Sequence, residues 1–325
     1  MKLSLVIPVF NEEDVLPALR ERLIQVLSSQ NFDYEIIFVN DGSTDRSSEF
    51  IQGWLHQNPK IILLELSRNF GHQQAITAGL KETTGDCVVI LDADLQDPPE
   101  KIPEMIEQWQ HGYKVVLAER TLRKETFLRG ILFKLFYKFF IVISDLPILV
   151  TSGVFGLMDR VVVDHLLTLE EKNRFIPGLR GWVGFPTTKI YYERGERSTG
   201  RPKQSLRNLF KYSLNAIFSF SYKPLRVSFV LGCAISAFCF LYAAVLIVMR
   251  VLGINVVRGF TTPTVAIFFL GGVLLISNGI IGEYLARIYD EVKRRPLYIV
   301  ARKVSRGSDG KISVEELKPK AIPSE

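Results

Sequence analysis

One stretch of this sequence constrains both the fold and the chemistry: residues 86–97, which read DCVVILDADLQD. Residues 87–91 are apolar and bounded by polar residues, which predicts a strand buried on both faces. Asp92 and Asp94 follow directly. Because they are two residues apart, an extended backbone turns both carboxylates to the same side. Placing carboxylates at the end of a buried strand is costly unless something cationic is bound there.

A divalent cation is the partner that this pattern favours. Mg²⁺ and Mn²⁺ are usually held by carboxylate oxygens together with substrate phosphates. The alternative interpretation is an acidic turn that caps the next helix, ahead of Pro98 and Pro99.

Strand-like and helix-like patterns alternate along the first part of the chain. We predict strands over residues 3–9, 34–39, 61–66, 87–91 and 115–118, with helices ending near residues 28, 56 and 83 and another over 99–111. This order predicts an α/β fold with a mostly parallel sheet and helices on both faces. Polar clusters follow four of the strands, at 11–12, 41–43, 68–71 and 92–94. Ligands of such sheets bind beyond the carboxyl ends of the strands, so these clusters predict the rim of a nucleotide pocket.

Two long apolar runs predict a transmembrane hairpin. Residues 227–249 and 259–282 contain no charged side chain, and each run can cross the roughly 30 Å bilayer core as a helix. We place the spans at about 227–249 and 260–282. Residues 284–306 carry seven Lys and Arg, whereas residues 250–258, between the spans, carry Arg250 and Arg258. The positive-inside rule therefore predicts a multi-pass membrane protein with both termini in the cytoplasm.

Basic residues also cluster before the first span. Residues 120–138 and 194–211 each carry six Lys and Arg against one Glu, beside amphipathic helices predicted over 127–143 and 206–220. Nucleic-acid binding is one explanation. Basic amphipathic helices close to membrane spans more often lie in the headgroup layer, so we favour a membrane surface, with some charges serving a phosphate.

Several motifs in this order resemble glycosyltransferase family 2. They are VIPVFNEE (6–13), FVNDGSTD (38–45), SRNFGHQQA (67–75), LDADLQDPPE (91–100) and NRFIPGLRGWVGF (173–185). The two spans and IIGEYLARIYDEVKRRP (280–296) make the chain similar, more narrowly, to membrane-bound polyprenyl-phosphate glycosyltransferases, which are relatives of dolichol-phosphate mannose synthase.

The resemblance implies a fold and a reaction. The fold is GT-A, a Rossmann-like domain, and the reaction moves a sugar from a UDP- or GDP-linked donor to a polyprenyl phosphate, with inversion. It implies Mg²⁺ or Mn²⁺ as cofactor, no nucleic-acid partner, and a homo-oligomer, with a tetramer possible. We expect a cytosolic GT-A domain over 1–205, a juxtamembrane amphipathic helix over 206–226, the hairpin over 227–290 and a cytosolic tail over 291–325, loosely ordered after about Arg306.

Site residues follow from the resemblance by matched position. The donor pocket would be lined by Pro8, Asn11, Glu12, Asp41 and Asp92. The metal would be held by Asp92, Asp94 and Gln96, and the catalytic set would be Asp94, Arg120 and Arg123. The acceptor phosphate and a mobile basic loop would involve Lys124, Arg129, Arg197 and Lys203. His72 could face the donor, but a polar residue that starts a helix is the interpretation that we favour.

One segment departs from the family pattern. Relatives commonly read D-A-G-D-F-R-L where this chain reads TSGVFGL at 151–157, so carboxylates are missing at Thr151 and Val154. The change is compatible with an inactive protein, with a base elsewhere (Asp145 and Asp159 are nearby in sequence), or with no base. We favour the last, because a phosphate monoester has a second pKa of about 6 and is already a nucleophile at neutral pH.

Two other functions remain open on the sequence. A catalytically inactive membrane scaffold would explain the altered 151–157 segment, although Asp41, Asp92, Asp94 and Gln96 are retained. A polysaccharide synthase usually has more spans and a Q-x-x-R-W motif, whereas Arg180-Gly181-Trp182 lacks the upstream Gln and has an inserted Gly.

Overall fold

The computed structural model describes residues 1–121, 153–193, 223–252, 261–307 and 311–316. The described residues fall into two compact units. Those before residue 206 and after residue 294 form the sheet unit, and those between 223 and 294 form the hairpin unit.

The sheet unit is built on a nine-stranded mixed sheet with the order β7-β5-β6-β4-β1-β2-β3-β8-β9. Its strands are β1 Lys2–Val9, β2 Asp33–Asn40, β3 Ile61–Leu66, β4 Cys87–Ile90, β5 Val115–Arg120, β6 Gly156–Asp159, β7 Thr187–Tyr192, β8 Val300–Arg306 and β9 Ile312–Glu316. Six helices of this unit are α1 Leu16–Ser28, α2 Ser47–Leu55, α3 His72–Glu82, α4 Ile102–Gln110, α5 Arg160–Thr168 and α6 Ile176–Trp182, and a 3₁₀ turn, Pro99–Lys101, precedes α4.

The centre of the sheet is parallel, as the alternating pattern predicts. Strands β4, β1, β2 and β3 lie side by side in that order and run in one direction. β1 after Lys2 and all of β4 are buried, because helices cover both faces of the sheet and each strand is a nearly unbroken apolar run. The predicted strands and helices of residues 3–118 are confirmed, with ends that shift by one or two residues.

Strands β6 and β7 were missed in the sequence. β6 inserts between β4 and β5 and is antiparallel to both, and β7 pairs in parallel with β5 at one edge. β6 is only four residues long and its first two residues belong to the segment that departs from the family pattern, so the sequence gives little sign of a strand there. The sheet is therefore mixed on this side.

The expectation of a separate tail over 291–325 is wrong for residues 300–306, and the loose order expected after about Arg306 is wrong for residues 312–316. β8 pairs antiparallel with β3, and β9 pairs antiparallel with β8, so the end of the chain extends the sheet. Arg302 binds Glu65, and Lys303 Nζ lies 2.6 Å from Glu82 Oε2. The backbone of β8 (VARKVSR) pairs with an edge of β3 whose N–H and C=O groups would otherwise be unpaired.

The hairpin unit consists of two long helices, α7 Lys223–Val251 and α8 Thr261–Val292. By length and composition, both are able to cross a membrane, in agreement with the predicted spans. Large apolar side chains such as Phe229 and Phe240 are exposed along them, and Ser228 Oγ donates to Ser277 Oγ at 2.9 Å between the helices. The predicted amphipathic helices over 127–143 and 206–220 lie outside the described residues.

A buried carboxylate ties the amino-terminal ends of the strands together. Glu35 of β2 accepts hydrogen bonds from Ser4 Oγ at 2.6 Å and Thr84 N at 2.6 Å, and it lies 2.7 Å from Lys2 Nζ. Burial disfavours its charge, but the ion pair with Lys2 and the hydrogen bonds outweigh burial and lower the pKa of Glu35. This cluster lies at the opposite end of the strands from the polar clusters that follow them.

We predict that Glu35→Gln lowers stability in a pH-dependent way. A carboxyl whose pKa is lower in the folded protein stabilises the fold above its ordinary pKa of 4.5, and this stabilisation is lost as pH falls through the folded value. At pH 7 the variant should lose about 1–3 kcal/mol, measured as a lower Tm in detergent. The difference from wild type should shrink towards pH 4. A difference that grows on acidification would contradict this assignment.

Candidate active site

A cavity of about 290 Å³ opens at the carboxyl ends of the parallel strands. Three neighbouring chain segments contribute to its lining: residues 8–10 and 12 at the end of β1, residues within 69–75 at the start of α3, and residues 92–94 after β4. Asp41, after β2, completes the lining. The predicted pocket rim is therefore assembled where the order of strands β4-β1-β2-β3 requires it.

Asp41 organises the loop between β3 and α3. Its side chain is 3% exposed, and its two oxygens accept hydrogen bonds from Phe70 N at 2.7 Å and Gly71 N at 2.9 Å. Burial raises the pKa of the Asp41 carboxyl above its ordinary value, although both backbone donors favour the charged form. The residue lines the cavity as predicted, and its carboxylate fixes the opposite loop.

Gly42 allows the loop between β3 and α3 to lie close to the end of β2. Its φ is +69°, and a Cβ built on it would lie 2.6 Å from Arg68 C and 2.6 Å from Asn69 N. A side chain at this position would meet backbone that cannot move aside, and the left-handed conformation would add strain. The Asp41-Gly42 pair therefore positions residues 68–71 through one hydrogen-bonding side chain and one missing side chain.

Asn11 does not line the cavity, although it was predicted to. It adopts a left-handed conformation, with φ of 54°, and its Oδ1 accepts hydrogen bonds from Thr44 N at 2.8 Å and Thr44 Oγ1 at 3.3 Å. In return, Asn11 N donates to Ser43 Oγ at 3.0 Å and Glu12 N donates to Ser47 Oγ at 3.0 Å. Asn11 therefore joins the loops after β1 and β2, while Pro8 and Glu12 line the cavity as predicted.

Asp92 and Asp94 both reach the cavity. Asp92 Oδ1 lies 2.8 Å from His72 Nε2, and Asp94 Oδ1 accepts a hydrogen bond from Gln96 N at 3.1 Å. Burial disfavours the imidazolium, but the hydrogen bond to Asp92 and the charges of Asp92, Asp41 and Asp94 raise the pKa of His72. The side chain of Gln96 is buried and lies outside the cavity lining, so the structure brings together two of the three predicted metal ligands.

The donor set at this position suits a hard divalent cation. Among the described residues no group of three or more His, Cys, Asp or Glu side chains could hold a metal by itself. Two carboxylates in an open cavity are nevertheless the usual protein contribution to Mg²⁺ or Mn²⁺ sites in which substrate phosphates supply further ligands. Asp92 and Asp94 therefore fit such an ion.

Arg120 lies in a polar cluster beside the cavity. It ends β5, and its Nε donates to Tyr192 Oη at 2.9 Å while its Nη2 donates to Asp97 Oδ1 at 3.1 Å. Tyr192 Oη also donates to Asp97, which is 1% exposed. Burial raises the pKa of Asp97, against the effect of these partners, and the Asp97 charge raises the pKa of Arg120 in spite of burial. The predicted contact residues Arg123, Lys124, Arg129, Arg197 and Lys203 lie outside the described residues.

The family follows from comparison with known proteins. The model of glycosyl transferase family 2 matches residues 4–167. The chain belongs to glycosyltransferase family 2. A second model, the GtrB C-terminal hairpin, matches residues 223–288, the region of the two apolar helices. The predicted family and its GT-A fold are thereby confirmed.

Curated relatives match this family 2 glycosyltransferase over almost its full length. An uncharacterized glycosyltransferase of Bacillus subtilis, YkcC, is 43% identical over 300 residues, which cover 92% of this chain and 93% of the relative. A second uncharacterized glycosyltransferase, sll0501 of Synechocystis, is 44% identical and covers 93% and 95%. The bactoprenol glucosyl transferase of Shigella phage SfII is 41% identical over 309 residues, 95% of this chain and all of the relative.

Asp159 lies at the wrong end of the glycosyltransferase sheet to serve as a base. It pairs with Cys87 at the start of β4, whereas Gly156 pairs with Ile90 at the end that faces the cavity. Its carboxylate accepts hydrogen bonds from Trp109 Nε1 at 2.7 Å, Lys114 Nζ at 2.8 Å and Val161 N at 3.0 Å. It therefore caps α5, and the alternative candidate Asp145 lies outside the described residues.

Two residues of the glycosyltransferase cavity were missed or undervalued in the sequence. Phe10 lines the cavity and is 42% exposed, although an apolar residue at a strand end reads as core. His72 does start α3, as we favoured, but it also lines the cavity and contacts Asp92. For Phe10, the available signal was its position between a buried strand and the polar cluster at residues 11–13.

We predict that Gly42→Ala damages turnover more than folding. The new methyl group would displace residues 68–71 from Asp41, and a displacement of about 1 Å at an active site costs up to about 10²-fold in rate. Initial rates of sugar transfer and the Tm measure the two effects.

Gly53→Ala is the matched control for this change. Gly53 lies within α2 and has no atom within 4 Å of a built Cβ, so the variant should keep the wild-type rate. Equal rates in both variants would show that the Gly42 contact is dispensable.

We predict that Asp159→Asn keeps the wild-type rate and pH–rate profile but lowers the Tm. The change removes a buried charge that Lys114 and Trp109 satisfy, which costs about 1–3 kcal/mol. Asp164→Asn is the control, because Asp164 forms an exposed ion pair with Arg160 that contributes little. Loss of transfer in a folded Asp159→Asn protein would restore Asp159 as the base.

Proposed function

We propose that this protein transfers a sugar from a nucleotide diphosphate to the phosphate of a polyprenyl lipid at the cytosolic face of a membrane. The observation that carries the proposal is that Asp92 and Asp94 open into one cavity at the carboxyl ends of β1 and β4. The family and the name of the phage relative, a bactoprenol glucosyl transferase, support the same reaction class.

The donor nucleotide would lie in the cavity between the loops after β1, β2 and β3. Phe10 offers an exposed aromatic ring on which a base can stack, and such stacking contributes about 1–3 kcal/mol. Glu12 offers a carboxylate for ribose hydroxyls. Asp41 holds residues 70–71 in place around this part of the cavity.

Asp92 and Asp94 would hold a Mg²⁺ or Mn²⁺ ion together with the donor diphosphate. A bound divalent ion neutralises charge that develops on a phosphate leaving group. His72 would hold the Asp92 carboxylate in place through its 2.8 Å contact. The sugar and the acceptor phosphate would enter from the open side of the cavity.

The acceptor phosphate would act as its own nucleophile. With a second pKa of about 6, a phosphate monoester is largely dianionic at neutral pH and needs no side chain to remove a proton. Attack opposite to the leaving diphosphate would invert the configuration at the sugar. With this chemistry, Val154 in place of a family carboxylate would not abolish transfer.

The lipid acceptor agrees with the hairpin unit. Two apolar helices, matched by the GtrB hairpin model, would anchor the protein where a polyprenyl chain is dissolved. The excess of Lys and Arg in residues 284–306 supports an orientation with both termini in the cytoplasm, and the predicted basic contacts Arg123, Lys124, Arg129, Arg197 and Lys203 would serve the acceptor phosphate. A homo-oligomer, possibly a tetramer, is part of the same proposal.

The two alternatives lose support from particular residues. A scaffold has no need for carboxylates that open into a cavity at Asp92 and Asp94. The synthase-like Arg180 is buried and donates to Gly153 O at 3.0 Å and Val154 O at 3.3 Å, so it braces the segment that leads into β6.

We predict that the purified protein transfers label from a nucleotide sugar to undecaprenyl phosphate when Mg²⁺ or Mn²⁺ is present. A panel of radiolabelled UDP- and GDP-sugars, with extraction of the lipid product, measures the reaction. EDTA and Asp94→Asn should each lower the rate by about 10²-fold or more, because stabilisation of the leaving group is lost.

Asp14→Asn is the control for Asp94→Asn, because Asp14 is exposed and outside the cavity. The control should transfer at the wild-type rate. Absence of transfer from every donor in the panel, or an Asp94→Asn protein that is as active as wild type, would refute the proposed function.

A further inference from the structure

A cluster of three polar side chains links the residue 92–97 loop to two strand ends. Asp97 belongs to the loop, Arg120 ends β5 and Tyr192 ends β7. Each of the three side chains contacts the other two through the hydrogen bonds given above. The edge of the Tyr192 ring packs on Phe155, with ring centroids 5.6 Å apart and planes at 85°, which fixes the hydroxyl. We call these three residues the loop anchor.

The loop itself needs an anchor. Leu95 has a φ of 60°, a conformation that is strained for a branched side chain. Such strain persists when surrounding contacts over-determine the backbone. Leu95 packs against the core, and Asp97 is buried two residues later with a tyrosine and an arginine as partners. Both contacts hold the turn that directs Asp92 and Asp94 into the cavity.

We propose that Asp97, Arg120 and Tyr192 are positioning residues that hold the 92–97 loop in the conformation that presents Asp92 and Asp94 to a divalent cation. The inference rests on the proposed function for the identity of the bound species. It gives Arg120 a positioning role in place of its predicted membership of the catalytic set, because its Nε and Nη2 both donate to members of the loop anchor.

A substitution at Tyr192 distinguishes a positioning role of Arg120 from a direct contact with phosphate. A phenol hydroxyl that donates to Asp97 has no charge to offer a substrate phosphate, so it acts on metal binding through the loop. If Arg120 served the reaction only by direct contact with a phosphate, loss of the Tyr192 hydroxyl would release the guanidinium but leave metal binding unchanged. The two roles therefore predict different Mn²⁺ affinities for a variant that lacks only the Tyr192 hydroxyl.

The first experiment compares Tyr192→Phe with Tyr191→Phe in the full-length protein in detergent. Tyr192→Phe keeps the ring contact with Phe155, and Tyr191 is the neighbouring residue, 60% exposed, so it is a matched control. Binding of Mn²⁺ is followed by electron paramagnetic resonance of the free ion, with and without UDP, and needs no turnover. We expect about 10-fold weaker Mn²⁺ binding for Tyr192→Phe and no change for Tyr191→Phe.

Kinetics supply the second readout. Tyr192→Phe should lower kcat by about 10-fold at saturating metal, with the KM for polyprenyl phosphate unchanged, because the loop and not the acceptor site is disturbed. Asp97→Asn should act in the same direction, and the double variant should lose less than the product of the two single losses, since both act on one loop. A direct phosphate contact instead predicts a raised KM for the acceptor in Arg120→Lys alone.

The results distinguish this inference from the proposed function. One outcome is that the wild-type protein transfers sugar while Tyr192→Phe and Asp97→Asn bind Mn²⁺ as tightly as Tyr191→Phe. This outcome overturns the loop anchor and supports the proposed reaction. Weaker Mn²⁺ binding in both anchor variants supports the anchor even if no tested sugar is transferred. Wild-type protein that binds no Mn²⁺ with or without UDP overturns the anchor as stated. The Tm of each variant shows that the compared proteins are folded.

Discussion

Carboxylates at the ends of buried parallel strands are the constraint on which the site depends. A carboxylate in such a position must be satisfied by hydrogen bonds, by an ion or by water, because burial of an uncompensated charge is costly. The chain satisfies Asp41 with two backbone N–H groups and Asp97 with Tyr192 and Arg120. Asp92 and Asp94 line the cavity, where Asp92 contacts His72 Nε2 and Asp94 accepts a hydrogen bond from Gln96 N.

These contacts separate the acidic residues near the cavity into two groups. Asp41 and Asp97 bind the protein and give the loops their shape, and the shape then determines where Asp92 and Asp94 lie. Glu35 and Asp159 likewise bind neighbouring protein groups, at the other end of the strands. These carboxylates look alike in the sequence, but the partners that distinguish them come from distant segments, such as Phe70, 29 residues from Asp41, and Tyr192, 95 residues from Asp97.

The parallel core and the carboxylate pair could be predicted from the sequence because both depend on local signals. Apolar runs with polar ends define β1 to β4, and the spacing of Asp92 and Asp94 requires no partner to be recognised. The other elements depend on distant contacts. β6 is a strand because β4 and β5 flank it. Asn11 does not line the cavity because its side chain accepts a hydrogen bond from Thr44, and Gln96 does not because it is buried. Matching residues to the motifs of the family could not reveal where these side chains lie.

The pairing of β8 with β3 has a consequence for biosynthesis. One edge of the sheet receives its neighbour from residues 300–306, which follow both apolar helices in the chain. During translation the amino-terminal strands therefore exist for a long interval with an open edge, while the apolar helices are still being made. Long-range pairing of this kind is slow to form, and open strand edges attract other chains. The nascent protein is exposed to aggregation at this edge until residues 300–306 leave the ribosome and pair with β3.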